Sequence, residues 1–253
     1  MAAMKFGIII MTSKIAYLTI DDAPSVTMSE KVDYLLSKHI PAIWFCQGSL
    51  LEQRTNAAIR AIRKGFVLGN HAYNHPYFSD LELTQCYEQI QRTDDMIEAV
   101  YARAGVQRPA KYFRFPYGDK GGLKYSEVLE AYSEAGLERK EALQTYLRQL
   151  GYAPPPVEHI TYRYYQVNGL REDVDWYWTY DVMEWSIYAA EHLYGVDSLE
   201  KVLARMDEDE PEGFRGLNDP SSAEIVLIHD HLETSSCFVS IIERLLEKGL
   251  SFI

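Results

Sequence analysis

Residues 14–23 read Lys-Ile-Ala-Tyr-Leu-Thr-Ile-Asp-Asp-Ala, an apolar run that stops at two adjacent carboxylates, Asp21 and Asp22. Its first part, Lys14–Ile20, predicts a buried strand. Working outward, Thr27–His39 carries Val32, Leu35 and Leu36 on one face, with Thr27 and Glu30 at capping-box spacing, so a helix is expected there. Ala42–Phe45 predicts a second strand, Leu50–Lys64 a second helix, Phe66–Leu68 a third strand, and Leu83–Arg103 a long helix closed by Gly105. Such alternation indicates an α/β architecture with parallel strands.

The pattern continues with a strand at Lys111–Phe115 and two helices, Tyr125–Leu137 and Arg139–Leu150. Pro154–Pro156 ends the second, because proline cannot donate to or continue a helix. Trp178–Val182 and Glu224–His229 predict strands on either side of a helix from Ser198 to about Met206. Ser236–Lys248 is the last expected helix, with Gly249 as its C′ residue. There is no internal repeat and no low-complexity linker.

Composition narrows the class. Of 253 residues, 25 are Lys or Arg and 37 are Asp or Glu, a formal charge of −12 that argues against nonspecific nucleic-acid binding, polyanionic substrates and acidic membranes. An apolar share of 47% with 25% charged residues is globular usage, which excludes a disordered or collagen-like chain. Cys46, Cys86 and Cys237 form no CxxC pair, so no disulfide framework is expected. The apolar stretch Phe6–Met11 is shorter than a secretory signal core, and no run is long enough for a membrane helix. A soluble cytoplasmic protein is therefore expected; Met1, Met4 and Met11 leave the true start of the chain open, and with it a removed leader. Nothing here sets an oligomeric state. Nineteen tyrosines is the one count that is high.

In α/β barrels the chemistry sits at the C-terminal ends of the strands. The polar clusters fall there: Asp21-Asp22, Asn70-His71, Arg114, Asp181 and His229-Asp230. Adjacent carboxylates suit a turn as readily as a site, since Asp favours turns. His71 and His75 form an H-x-x-x-H that Pro76 keeps out of a regular helix, so a loop with one turn is expected. Two imidazoles and a carboxylate leave open positions on Zn²⁺ or a similar ion, the catalytic pattern. Arg114 can hold a carboxylate in a bidentate pair. His229 can deliver a proton near neutral pH.

Together these residues resemble the polysaccharide deacetylases, the NodB-homology domain of carbohydrate esterase family 4. The motifs run in order: Thr19-Ile20-Asp21-Asp22-Ala23, His71-Ala72-Tyr73-Asn74-His75-Pro76, Arg114-Phe115-Pro116-Tyr117-Gly118, Asp181-Val182-Met183-Glu184-Trp185 and Leu227-Ile228-His229. The resemblance implies one NodB-like domain over residues 1–253, a distorted (β/α) barrel with a helical, Tyr-rich insertion at about 119–177. It implies Asp21 as general base, Asp22, His71 and His75 as ligands of a divalent metal, and Arg114 as a tether for Asp21. Zn²⁺ is the first expectation, with Co²⁺, Ni²⁺ or Mn²⁺ as alternatives. It further implies the Tyr117 N–H as an oxyanion donor, Trp185 and Leu227 as walls of an acetyl pocket, and His229 as general acid oriented by Asp181. The implied activity is removal of N-acetyl groups from a chitooligosaccharide or peptidoglycan-type glycan, releasing acetate. Hydrolysis of a non-sugar amide of the allantoin or formamide type is the alternative, and a non-catalytic carbohydrate-binding module is a further one.

Three motif positions depart from the family pattern. Ala23 stands for glycine; Ala72 stands for the Ser or Thr that braces the metal loop, a task open to Asn74 or Tyr73; Glu184 stands for the second Asp of the fourth motif. Arg114 and Asp181 lie 67 positions apart, and the rings at Thr161–Tyr165 and Trp176–Tyr180 either pack the insertion onto the barrel or face the substrate. His231 is within reach of the pocket rim; His39, His159 and His192 carry no expected role.

Overall fold

The run at 14–20 forms the central strand and continues through the acidic pair, so that β1 spans Lys14–Ala23. The computed structural model describes residues 14–123, 131–209 and 216–253. The other strands are β2 (Ile43–Cys46), β3 (Val67–Asn70), β4 (Tyr180–Asp181), β5 (Glu224–His229) and β6 (Leu250–Phe252). The helices are α1 (Met28–Ser37), α2 (Gly48–Arg63), α3 (Leu83–Ala104), α4 (Glu134–Gln149), α5 (Arg163–Val167), α6 (Leu199–Arg205) and α7 (Phe238–Glu247). Strand order is β3-β2-β1-β5-β4, with β6 paired to the first residues of β1, and the pairings are parallel.

The sheet bends towards closure through irregular backbone. Asn70 N–H donates to Tyr112 O at 2.8 Å, Trp176 N–H to Phe113 O at 2.8 Å, and Thr179 N–H to Ile225 O at 2.9 Å. The path β3, 112–114, 176–181, β5 and back to β1 is the distorted barrel expected. Lys111–Phe115 gives only an isolated bridge, Phe113 to Asn70, rather than a strand. It is pinned between Pro109 and Pro116, which offer no N–H to a ladder. Trp178–Val182 shortens to the two residues of β4, because the Asp181 carboxylate takes the Met183 N–H at 2.8 Å and turns the chain.

Alternation along the strands separates two apolar layers. Leu18, Ile20, Trp44, Leu68, Val226 and Ile228 pack outward against the helices. From α7, Phe238, Ile241, Ile242 and Leu245 are buried at the i, i+3, i+4, i+7 spacing of an amphipathic helix, each such side chain contributing about 1.5–3 kcal/mol. Ile43, Phe45 and Ile225 belong to the other layer, where they meet Tyr162, Tyr165, Trp176 and Tyr177 of the insertion. Four aromatic rings of the long insertion thus fill a core.

A buried ionic network anchors the same segment. Lys120 Nζ lies 2.6 Å from Asp173 and 3.0 Å from Asp175, Lys140 Nζ lies 2.6 Å from Asp173, and Gln144 donates to Asp175 at 2.7 Å. The two helices expected before Leu150 are, in the described part, the single helix α4, which Ser133 caps by accepting the Gly136 N–H; residues 124–130 lie outside the described residues, as does the Phe6–Met11 stretch. Thr27 begins α1, but its hydroxyl meets those of Ser25 and Ser235 instead of a helix N–H, so the expected capping box is absent. Gly105 and Gly249 end their helices at φ +72° and +81°, a left-handed conformation that glycine adopts without steric cost. Strand β6 and helix α5 were not foreseen; both are short. All three cysteines are buried and free. Among the described residues no helix is long and apolar enough to cross a membrane.

Candidate active site

The acidic pair lies within the end of β1, where its pairing with β2 shifts register between Ile20 and Ala23. Asp22 adopts φ +61°, a left-handed conformation that Asp tolerates better than most residues, and this swings two consecutive carboxylates towards one histidine. Asp21 Oδ2 lies 3.5 Å and Asp22 Oδ1 3.7 Å from His71 Nε2. Across β5, Asp21 is in register with His229.

His71 and His75 converge through a loop rather than a helical turn. Ala72 and His75 both have positive φ, +61° and +57°, which curls the segment and brings the two Nε2 atoms to 3.1 Å. His71 Nδ1 faces the Arg114 carbonyl at 2.8 Å, so its proton sits there and Nε2 is left as a lone-pair donor. His75 Nε2 is 3.3 Å from Asp22 Oδ1. Burial and the neighbouring His71 push the His75 imidazole down to about 4, leaving it neutral at pH 7. Burial works to raise the Asp22 carboxyl, but the hydrogen bond from His231 and the neighbouring His75 and His71 imidazoles hold it well below the usual carboxylate range.

Arg114 is 1% exposed and meets Asp21 through a single nitrogen rather than a bidentate fork: Nη1 lies 2.8 Å from Asp21 Oδ1 and 2.8 Å from Thr19 Oγ1, while Nε donates to Trp176 O at 2.6 Å. Tyr117 lies just beyond, at φ +58° in the turn Pro116–Gly118. Its half-exposed ring stacks on Tyr77 with centroids 3.9 Å apart and meets the edge of His75 at 4.4 Å.

The fourth motif works differently from the expectation. Asp181 makes no hydrogen bond to His229: Oδ1 accepts the Met183 N–H at 2.8 Å and Oδ2 accepts Trp185 Nε1 at 3.1 Å. Glu184, 2% exposed, holds the imidazole instead, with Oε1 accepting the His229 backbone N–H at 2.5 Å and facing Nδ1 at 3.1 Å. The longer Glu side chain starts on the turn that Asp181 shapes and reaches back to the strand. Burial works to lower the His229 imidazole, but the Glu184 carboxylate, aided by Asp181 and Asp22, raises it to about 10. Burial also raises the Asp181 carboxyl. Trp185 flanks His229 edge-on at 6.4 Å, and buried Leu227 lies two residues before it on the same face of β5.

Asp22, His71 and His75 bring three ligand atoms within 4.8 Å of one another. One carboxylate oxygen and two imidazole nitrogens, one of them fixed as an acceptor by the Arg114 carbonyl, form a donor set that fits a borderline-soft divalent ion whose metal–nitrogen bonds run about 2.0–2.1 Å. In a second cluster, Asp181, Glu184 and His229, both Asp181 oxygens, Glu184 Oε1 and His229 Nδ1 are engaged in hydrogen bonds within the protein.

Several supporting residues escaped the sequence reading. The Ala72 loop is braced by neither Asn74 nor Tyr73 side chains. Asn70 Oδ1 accepts the Ala72 N–H at 2.9 Å, and Gln89 Oε1 accepts the Tyr73 and Asn74 N–H groups at 3.0 and 3.1 Å. Asp230 is buried and accepts from Ser25 N–H, Ser25 Oγ and Lys31 Nζ at 2.6–2.7 Å, fixing the turn that follows β1. Gln47 and His231 both reach Asp22 at 2.7 Å. In the sequence, Asp230 and Asn70 were marked by adjacency to His229 and His71, His231 by its reach to the pocket rim, and Gln47 and Gln89 by nothing.

Residues 10–139, about half of the chain, match the polysaccharide deacetylase family. A peptidoglycan-N-acetylglucosamine deacetylase of Bacillus cereus is 30% identical over 103 residues, 40% of this chain and 36% of that protein. The peptidoglycan-N-acetylmuramic acid deacetylase PdaC of Bacillus subtilis is 32% identical over 107 residues, 42% of this chain and 22% of that protein. The chain thus spans about a third or less of the length of these curated relatives. In structure it is similar to a family 4 carbohydrate esterase from Streptomyces lividans in complex with acetate, with a TM-score of 0.57 at 22% identity over 94% of this chain and 91% of that one. That likeness establishes a shared fold.

Proposed function

This chain belongs to the polysaccharide deacetylase family, and on that footing we propose that it is a divalent-metal-dependent hydrolase removing N-acetyl groups from an amino-sugar glycan of the chitooligosaccharide or peptidoglycan type. The observation that carries the reading is the placement of a tethered carboxylate, Asp21, beside the Asp22–His71–His75 donor set and in register with His229. The two relatives named for peptidoglycan deacetylation support the substrate class.

Asp22, His71 and His75 hold the ion, Zn²⁺ in our reading. When bound it supplies Lewis acidity, polarising the acetamide carbonyl and acidifying water. Asp21, with Oδ1 fixed by Arg114, takes a proton from the water that adds to the carbonyl carbon. The Tyr117 N–H donates to the developing oxyanion. His229, its Nδ1 held by Glu184, delivers a proton to the sugar nitrogen as the C–N bond breaks. Trp185 and Leu227 enclose the acetyl methyl. The products are acetate and a free amino sugar.

Treatment with a chelator abolishes acetate release in this account, and added Zn²⁺ or Co²⁺ restores it in the wild type but not in His75→Ala. Chelator-resistant acetate release overturns the metal role.

A further inference from the structure

Asp22 is the one proposed ligand whose side chain is gripped from outside by two side chains beyond the family motifs. Gln47 Nε2 donates to Oδ1 at 2.7 Å, and His231 Nε2 lies 2.7 Å from Oδ2. The two oxygens therefore differ: Oδ1 faces His75 at 3.3 Å, while Oδ2 is turned to His231. Both grips rest on anchored backbone. Gln47 N–H donates to Ala23 O at 2.9 Å, and the Gln47 carbonyl accepts the Leu50 and Leu51 N–H groups of α2 at 3.2 and 3.0 Å. The His231 carbonyl accepts from Ser235 Oγ at 2.8 Å and Lys31 Nζ at 3.3 Å. The His231 ring also lies over His229, centroids 5.1 Å apart and 29° from parallel.

We propose that His231 and Gln47 are positioning residues for the metal: they lock the Asp22 rotamer so that Oδ1 alone is offered to the ion. Asp22 sits at φ +61° in the irregular stretch of β1 between Ile20 and Ala23, where its pairing with β2 shifts register, and Ala72 has no hydroxyl to brace the opposite side of the site. His231 serves as an N–H donor and does not join the donor set, which is Asp22, His71 and His75. Hydrogen-bond partners of ligating groups are typically worth about 10–100-fold in metal affinity.

The inference rests on the assignment of Asp22, His71 and His75 as ligands, and its test separates the two. Zn²⁺ affinity is measured by competition with a chromophoric chelator, and Co²⁺ coordination by its visible absorption, for wild type, His231→Phe, His231→Gln and Gln47→Leu. His231→Phe keeps a ring over His229 but removes the donor; His231→Gln restores a donor. Metal affinity is expected to fall about 10–100-fold in His231→Phe and Gln47→Leu, with an altered Co²⁺ spectrum, and to recover in His231→Gln. Thermal unfolding of the metal-free proteins checks that each variant is folded. A folded His231→Phe that binds Zn²⁺ as tightly as wild type overturns the brace and leaves the ligand assignment standing. A wild type that binds neither ion overturns the ligand assignment, and the brace with it.

Discussion

The His229 imidazole rests on Glu184: Nδ1 lies 3.1 Å from Oε1, and the same oxygen accepts the His229 backbone N–H. Burial alone lowers a histidine, yet this ion pair raises it to about 10. A general acid must be protonated, so the basic limb of the kcat/KM profile depends on Glu184. In Glu184→Gln that limb is expected at lower pH by at least about one unit, since an adjacent opposite charge is worth about 1–3 units. An unmoved limb would mean that His229 is not the titrating acid.

The same pair gives a signature in stability. The folded-state value lies above the ordinary histidine value of about 6.5, so the protonated form is preferentially bound by the folded chain. Its contribution is complete below about pH 6.5 and is lost as pH rises through about 10. Urea unfolding of wild type and Glu184→Gln across pH 6–10 is expected to show a gap between the two that narrows as pH rises. A constant gap would contradict the linkage.

Arg114 and Asp21 form a buried ion pair inside the site. Arg114→Met strands the Asp21 charge and is expected to cost about 3–5 kcal/mol in urea unfolding, with part of the loss recovered in the double variant Arg114→Met/Asp21→Asn. Asp21→Asn alone is expected to keep its metal while kcat falls about 10²–10⁴-fold. Loss of metal from that variant would make Asp21 a ligand instead of a base.

The insertion aromatics are structural in this account. Tyr165 is fully buried, its hydroxyl donating to Tyr177 O at 3.1 Å. Tyr165→Ala is expected to cost about 3–5 kcal/mol, as large aromatic truncations do, with little change in KM for a glycan. A raised KM at unchanged stability would return these rings to the substrate.

The barrel and the candidate ligand loop were legible because both depend on local pattern. Strand–helix alternation set the sheet, and His71-x-x-x-His75 before proline marked the loop. Arg114 was singled out by its motif, and its Nη1 lies 2.8 Å from Asp21 Oδ1. What was not legible depends on side-chain reach in three dimensions. Glu184 at a position usually filled by Asp is long enough to take His229, which leaves Asp181 to order Met183 and Trp185. Asn70, Gln89, Gln47 and His231 act across separations of 2 to 209 residues, and no spacing rule connects them to the ligands. The tyrosine excess was visible, but its burial against Phe45 and Ile225 required the closed barrel.

Amide hydrolysis of an N-acetylated sugar is tested most directly by parallel turnover assays of Zn²⁺-loaded wild-type protein. N-acetylglucosamine oligomers are expected to yield acetate and free amine in equal amounts, and a cyclic ureide or formamide none. Hydrolysis of the ureide or formamide by a folded, metal-loaded protein that releases no acetate from the acetylated glycan would contradict the account.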